Sequence, residues 1–314
     1  MKSRLVMLMS LAIAALSVAF ASRHFSYTLT PPPAVHANLP VRHSSYLGVF
    51  ESATPSSYAR IAAFGQVAGR LPNLAGYYSG WAEPFDLGFA NALHAHGITP
   101  FVQIDPTHAS VTAIADGTYD LYLRQYADSV RAFGHAVLIG FGHEMNAPGY
   151  SWGYGHVQPS DFIAAWRHVV RLFRQQGADN VTWLWTLQAG QGGTAPIKEW
   201  WPGSAYVDWV GLDGFYYRPS DTFGNVFLPM IRSVRTFAPR FPILLSETAV
   251  GPRAGQLAGI LNLFAGMAGT GTLGLVWFDI DQHQGIYHQN WRLEGDQVAE
   301  NAFRLGVRQD LSSG

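Results

Sequence analysis

Two glutamates in this chain each follow a short run of apolar residues. Glu144 comes after the run from Val137 to His143, and Glu247 comes after the run from Ile243 to Ser246. Branched apolar runs that end abruptly in an ionisable side chain are typical of parallel strands buried on both faces. If both strands end at one edge of a sheet, one carboxyl could donate a proton while the other attacks or activates water, as in the hydrolysis of an acetal.

The sequence around these glutamates alternates strand patterns with helix patterns. The predicted strands are 46–50, 74–78, 98–104, the run from Ala136, 181–185, 207–212, 243–246 and 273–278. Strand-then-helix units that repeat without a change in composition predict a parallel sheet closed into a (β/α)8 TIM barrel, which commonly needs about 250 residues. We therefore expect a single α/β domain over residues 46–309.

The strands of such a barrel carry their carboxyl ends to one mouth, where ligand sites form. That rule selects the acidic residues at strand ends, namely Glu51, Asp105, Glu144, Asp213, Glu247 and Asp279. Glu144 and Glu247 are the favoured chemical pair because the fourth and seventh strands face each other across the mouth. We expect the three aspartates to support the site or to cap loops.

Charge and composition limit the partners. Charged residues make up 13% of the chain, aromatic residues make up 14%, and the net charge is −1. A field this weak would not steer a polyanion, so no nucleic acid partner is expected, and the many rings suggest stacking surfaces for a neutral ligand. The chain has no cysteine, which excludes disulfides and thiolate metal sites. We expect no metal or other cofactor, and a monomer.

The first 45 residues differ from the rest. Lys2 and Arg4 precede an apolar run over 5–21 that ends in Ala19-Phe20-Ala21, as in a cleaved signal peptide. An uncleaved membrane anchor is the alternative, because the 17 residues from 5 to 21 are at the short limit for a span. Residues 22–45 are rich in proline and predict a flexible linker. The barrel is expected to be secreted, or anchored on the outer face of the cytoplasmic membrane if the segment is retained.

The residues around both glutamates resemble glycoside hydrolase family 26, best known for β-mannanases. The similar segments are His143 to Asn146 with Tyr150 and Trp152, then Trp209 to Gly214, then Leu245 to Ala249, within a similarity that extends from about Tyr46. The resemblance implies a retaining mechanism with Glu144 as the acid/base and Glu247 as the nucleophile. It also implies an endo-acting hydrolase of neutral polysaccharide, with β-1,4-mannan favoured.

The resemblance suggests further roles near the mouth. His143 is expected to orient Glu144 and to influence its pKa. Trp277 matches the tryptophan under the sugar being cleaved, whose ring face stacks on C–H bonds. Further sugar contacts are expected from Asn146, Tyr150, Trp152, Trp81 and Tyr78. A tyrosine after strand six is expected to hydrogen-bond the nucleophile, and Phe215, Tyr216 and Tyr217 leave the choice open, with Tyr216 favoured.

Two departures from the family affect the sugar-binding floor. Gly149 stands where the family carries a tryptophan, and the loop from Thr186 to Gly193 lacks the expected Pro-Asn. Mixed-linkage β-glucan and β-1,3-xylan are therefore alternative substrates. A cell-surface barrel that binds glycan without cleaving it, or an assembly protein of polysaccharide export, are alternatives of another class. A zinc protease is excluded because Ala147 occupies the position of the second histidine ligand.

Overall fold

The computed structural model describes residues 38–190, 195–251, 255–282 and 289–311. Within them, parallel strands form a closed barrel in which each strand pairs with the next and the eighth pairs with the first. The strands are Tyr46–Glu51 (β1), Leu74–Gly80 (β2), Thr99–Asp105 (β3), Val137–Phe141 (β4), Val181–Gln188 (β5), Trp209–Tyr216 (β6), Ile243–Val250 (β7) and Gly274–Asp279 (β8). The predicted (β/α)8 barrel is confirmed.

Helices surround the sheet. They are Ala59–Ala68 (α1), Leu87–His94 (α2), Val111–Ala115 (α3), Asp120–Phe133 (α4), Pro159–Gln175 (α5), Phe223–Val226 (α6), Leu228–Phe237 (α7), Gln256–Thr270 (α8) and Gln297–Asp310 (α9), with a 3-10 turn at Ile197–Trp200. After β8, Asp281–Gln282 (β9) pairs antiparallel with Gln289–Asn290 (β10). Across the described ranges, every helix is too short or too polar to traverse a lipid bilayer.

Glycines on the inner wall make room for large side chains that fill the barrel. A Cβ atom at Gly76 would lie 2.5 Å from the ring of Phe50, and one at Gly140 would clash with the side chain of Gln103. Gln103 is fully buried and donates a hydrogen bond to Thr186 Oγ1 at 3.1 Å. The interior is therefore aromatic near β1 and β2 and polar between β3 and β5.

Strands β6 and β7 are longer than predicted. Asp213 lies within β6 and Glu247 lies within β7, whereas both were expected just after their strands. The pairing register between these strands shifts between Gly211 and Asp213, so that Asp213 is the partner of Glu247. Such an irregularity breaks the inward-outward alternation locally. It allows the neighbouring residues Ser246 and Glu247 both to reach groups inside the barrel.

The folded part of the chain begins before the predicted start at Tyr46. Leu39 is buried, and its backbone N–H donates to Thr182 Oγ1 at 2.8 Å. The Tyr46 hydroxyl donates to the Pro40 carbonyl at 2.6 Å. Residues 38–45, which were predicted to be linker, therefore pack against the barrel. The predicted signal peptide or anchor at 1–21 and the rest of the linker lie outside the described residues.

Candidate active site

Glu144 lies in a strained turn just beyond β4. Gly142 and Glu144 both have left-handed backbone conformations, with φ of 56° and 53°. For a residue with a side chain this conformation costs free energy, and such strain is concentrated at functional sites. The Glu144 N–H donates to the Thr186 carbonyl at 3.1 Å. The turn that presents Glu144 is thereby fixed to β5.

Glu247 is held from across the barrel by Tyr78. The hydroxyl of this β2 residue donates to Glu247 Oε1 at 2.7 Å. The structure thus contradicts the favoured choice of Tyr216 as the partner of the nucleophile. The Tyr216 hydroxyl instead donates to Asn262 Oδ1 on α8 at 3.2 Å. Alternation along β6 turns Tyr216 toward the helix layer, because Asp213 on the same strand faces inward.

His143 interacts electrostatically with both glutamates. Its Nδ1 is 2.7 Å from Asp105 Oδ1, its Nε2 is 3.0 Å from the Tyr150 hydroxyl, and its ring centre is 5.5 Å from that of Tyr78. Burial disfavours the charged ring, but the Asp105 carboxylate outweighs this effect and raises the pKa of His143 to about 10. His143 is therefore a fixed cation at neutral pH.

The two glutamates are set up to hold different protonation states. Burial raises the pKa of Glu144 to about 7, although the His143 cation opposes the rise. Burial also raises the pKa of Glu247, to about 8, and the His143 cation and the hydrogen bond from Tyr78 oppose the rise. Neighbouring carboxyls that repel each other favour a single shared proton. The hydrogen bond from Tyr78 stabilises the charged form of Glu247, which favours the shared proton on Glu144.

Asp213 is a third carboxyl, fully buried beside Glu247. Its Oδ1 accepts a hydrogen bond from the Ser246 hydroxyl at 2.5 Å. Burial, and then the charge of Glu247, raise the pKa of Asp213 well above its usual range. A protonated Asp213 adds no negative charge beside Glu247, which favours the ionised form of Glu247.

Trp277 does not form the floor of the site, contrary to the prediction. Its side chain is fully buried, its indole N–H donates to the Trp291 carbonyl at 3.0 Å, and its ring packs edge-on against Phe303 of α9 at 5.0 Å. Alternation along β8 turns the next residue, Phe278, inward toward Phe50 at a ring distance of 6.4 Å. The sequence signal that could have identified Phe278 as the inward-facing residue is its position directly after Trp277 on the strand.

Tyr150 and Trp152 form a wall beside His143. Their rings stack at 4.6 Å with an interplanar angle of 13°. Trp152 is buried, and its indole N–H donates to the His143 carbonyl at 2.9 Å, whereas Tyr150 is half-buried. Both residues were predicted to contact sugar. Tyr150 has an accessible surface for such a contact, whereas the buried Trp152 packs against Tyr150 and supports it.

Asn146 and Trp81 were also predicted to contact sugar, and the structure uses both inside the protein. The Asn146 amide donates to the Gln188 carbonyl at 2.9 Å and accepts from the Gln188 N–H at 2.8 Å, and it is fully buried. Trp81 packs edge-on against Tyr119 and Tyr122 at ring distances of 5.3 and 5.0 Å. Asn146 joins the β4 and β5 loops, and Trp81 packs toward α4.

A second aromatic wall was not predicted. The ring of Trp291 lies 5.1 Å from that of Phe215 and 5.2 Å from that of Tyr217. Tyr217 is 37% exposed. Trp291 follows β10 and is far from β6 in the chain, so no motif or spacing linked it to Phe215. Only the closed barrel brings these residues together.

These features define a class of protein. The site combines two buried glutamates at the mouth of a (β/α)8 barrel, next to aromatic side chains, and glycoside hydrolases use a pair of carboxyls in this position. Among the described residues, no set of three or more histidine, aspartate or glutamate side chains is arranged to hold a metal ion. Two carboxyls so placed are able to act as acid, base or nucleophile.

Comparison with known proteins identifies the family. Residues 109–237 match the profile of glycosyl hydrolase family 26. Endoglucanase H of Acetivibrio thermocellus is 25% identical over 279 residues, which are 83% of this chain and 30% of that protein. Beta-1,3-xylanase TXYA of a Vibrio species is 32% identical over 117 residues, which are 36% of this chain and 24% of that protein. The chain spans about a third or less of the length of these curated relatives. These matches bear out the predicted resemblance to glycosyl hydrolase family 26.

Solved structures share the fold. The catalytic domain of a family 26 endo-β-1,4-mannanase from Bacillus sp. JAMB-750 has a TM-score of 0.67 and 15% identity, and the match covers 87% of each chain. A modular endo-β-1,4-mannanase from Cellulomonas fimi has a TM-score of 0.67 and 17% identity, over 85% of this chain and 71% of that chain. At these identities the likeness concerns the barrel itself.

Proposed function

We propose that this protein is a retaining, endo-acting β-glycoside hydrolase that cleaves a neutral polysaccharide. The observation that carries the proposal is the hydrogen bond of 2.7 Å from Tyr78 to Glu247, next to a Glu144 presented in a strained turn. This bond favours an ionised Glu247 and leaves the shared proton to Glu144. One carboxylate and one carboxylic acid are the two groups that this reaction requires.

In the first step, the Glu247 carboxylate attacks the anomeric carbon while the bond to the departing sugar breaks. Glu144 gives its proton to the departing oxygen, and an ester joins the remaining sugar to Glu247. In the second step, Glu144 removes a proton from water, which attacks the same carbon and releases Glu247. Two inversions restore the original anomeric configuration.

His143 balances the charge through both steps. Before the reaction the negative charge is on Glu247, and in the ester intermediate it is on Glu144. The His143 cation acts on both carboxyls electrostatically, and its two ring nitrogens are bonded to Asp105 and Tyr150. In each state one of the two glutamates is therefore charged near the His143 cation, which limits the reorganisation that each step needs.

Two substrate candidates follow from different observations. The motifs around both glutamates favour β-1,4-mannan. A β-glucan is favoured by the match to endoglucanase H, which extends over 83% of this chain, whereas the match to the β-1,3-xylanase covers 36% of it. Reducing ends released from mannan, mixed-linkage glucan, cellulose and β-1,3-xylan would distinguish these candidates. Release of oligosaccharides rather than single sugars would identify endo action.

The proposal is tested by the stereochemistry of the first product. Proton NMR of a short oligosaccharide during hydrolysis should show the β anomer before mutarotation. A first product with the α configuration would exclude Glu247 as a nucleophile. Binding of polysaccharide without release of any reducing end would favour a non-catalytic glycan-binding barrel instead.

We also propose that the barrel works outside the cytoplasmic membrane. The support is the basic, apolar and small-residue pattern of residues 1–21, which is typical of export signals. Fractionation of cells that express the full chain and a variant lacking residues 1–21 tests this. The full chain should be found in the medium or with the membrane, and the shortened chain should stay in the cytoplasm.

A further inference from the structure

A polar pocket is lined by the segments that follow β3 and β4, the same strands whose ends carry Asp105, His143 and Glu144. It has a volume of about 560 Å³, and its polar lining comes from His108, Ser110, Thr112, Ser151, His156, Gln158 and Asp161. We propose that this pocket is an accessory subsite that binds one sugar unit of the polysaccharide other than the unit being cleaved. The inference rests on the proposed function and names where the rest of the substrate is held.

The pocket shares its supporting segments with the reaction centre. The segment after β3 starts at Asp105, which contacts His143 Nδ1, and the segment after β4 includes Tyr150, which contacts His143 Nε2. Ser151 lines the pocket and stands between Tyr150 and Trp152, which both contact His143. The pocket and Glu144 are therefore supported by the same two strand ends, which is why we place a further unit of the polysaccharide in the pocket.

The lining suits a neutral, hydroxyl-rich ligand. Serine and threonine hydroxyls and two imidazoles can each donate or accept hydrogen bonds, and Val111 and Val157 add apolar surface. None of the described lining residues is a lysine or an arginine, so the pocket is poorly suited to a phosphate or a carboxylate. Its volume is within the range of about 300–1,000 Å³ that is usual for small-ligand sites.

The backbone of the pocket is preorganised. His108 has a left-handed conformation with φ of 63°, which is uncommon for a residue with a side chain. The hydroxyls of Ser110 and Thr112 are 2.6 Å apart, and His156 Nε2 is 3.1 Å from the Pro148 carbonyl. A strained backbone that the surrounding structure holds in place is typical of ligand sites.

Filling the pocket tests the subsite. Thr112→Trp places a large ring in the pocket, and Thr118→Trp is its matched control, because Thr118 is also exposed and is not part of the lining. Each variant is assayed on a long oligosaccharide and on an aryl glycoside with a single sugar. We expect Thr112→Trp to raise KM for the long substrate by about ten-fold, with unchanged activity on the aryl glycoside. The control should change neither value.

A second variant removes polar groups without filling space. His108→Asn keeps a residue that tolerates the left-handed backbone and should also raise KM for the long substrate alone. Equal effects on both substrates, or no effect of either variant, would overturn the subsite. If the wild-type protein releases no reducing ends, the proposed function fails first. Calorimetric titration of the wild type and Thr112→Trp with the long oligosaccharide then still tests the pocket, because loss of affinity supports it and equal affinity overturns it.

Discussion

Two clusters of buried carboxyls lie at the strand ends of this barrel, and they differ in how their charges are balanced. In the candidate reaction centre, His143 is bonded to Asp105 and acts on Glu144 and Glu247 through its charge. In the second cluster, Glu51 and Asp279 are neighbours in register on β1 and β8, and they are 3% and 2% exposed. There the cation is an arginine in direct contact with a carboxylate.

The second cluster is tied to the structure around it. Arg60 Nε is 3.3 Å from Glu51 Oε2, and the same guanidinium reaches Glu294 at 3.0 Å. Asp279 Oδ1 accepts from the Leu293 N–H at 2.8 Å. These bonds join α1 and two strands to the segment that carries Trp291. We infer that this cluster maintains the second aromatic wall.

The comparison shows that a carboxyl at a strand end is not enough to identify a catalyst. Glu51 and Glu247 are both buried glutamates with raised pKa values, chiefly because of burial. What separates them is the partner: Glu51 shares an arginine and an aspartate, whereas Glu247 accepts a tyrosine hydroxyl beside a fixed cation. Glu-to-Gln changes at the two sites should therefore have opposite consequences for activity and stability.

The largest effect is expected from Glu247→Gln. The change removes the nucleophile but keeps a side chain of the same shape, so kcat should fall on the order of 10⁴-fold or more while the fold is retained. Initial rates on the best polysaccharide and the circular dichroism spectrum measure both. Glu51→Gln is the control of the same chemistry. A Glu247→Gln rate near that of the wild type would exclude the assigned role.

Glu144→Ala should reduce polysaccharide hydrolysis by about 10²- to 10⁴-fold. The loss should be much smaller in the first step with a dinitrophenyl glycoside, whose leaving group needs no proton. In the wild type, kcat/KM should decline as the pH rises through about 7, because Glu144 then loses the proton that it must donate. This alkaline decline should be absent when Glu144→Ala cleaves the dinitrophenyl substrate. An unchanged decline would assign it to another group.

Tyr78→Phe removes the hydrogen bond to Glu247 and should lower kcat/KM by roughly 10- to 100-fold, the usual range for a bond to a charged group. The bond stabilises the ionised form, so its loss should raise the pKa of Glu247. The acidic limb of the pH profile should consequently move to higher pH. Tyr216→Phe, whose hydroxyl bonds to Asn262, is the control and should leave the profile unchanged. Equal effects of both variants would contradict the assignment.

The smallest effect on activity is expected from Glu51→Gln, with a rate within about twofold of the wild type because it touches no reacting group. Burial, and then the charge of Asp279, raise the pKa of Glu51 from the ordinary 4.5 to about 8. The folded protein therefore binds more protons than the unfolded chain between these values, and stability falls as the pH rises through them. Glu51→Gln should reduce that fall. The Tm of the variant minus that of the wild type should therefore be a few degrees higher at pH 8 than at pH 5. An identical pH dependence in both proteins would show that Glu51 does not carry this proton.

The sequence by itself predicted the barrel and the resemblance to the family, and it singled out Glu144 and Glu247 as the candidate pair. Apolar runs followed by helical spacing mark each strand without knowledge of its neighbours, and the segments around Glu144 and Glu247 are local motifs. These features depend on residues close together in the chain. Pattern and motif are therefore sufficient for them.

Only the tertiary structure decided which side chains meet. Tyr78 rather than Tyr216 reaches Glu247, Phe278 rather than Trp277 faces inward, and Trp291 joins Phe215. On a strand, a shift of one residue moves a side chain to the opposite face, so these choices depend on register and on the irregular pairing of β6 with β7. Register is set by contacts between strands that are distant in sequence, and closure of the barrel fixes them all at once.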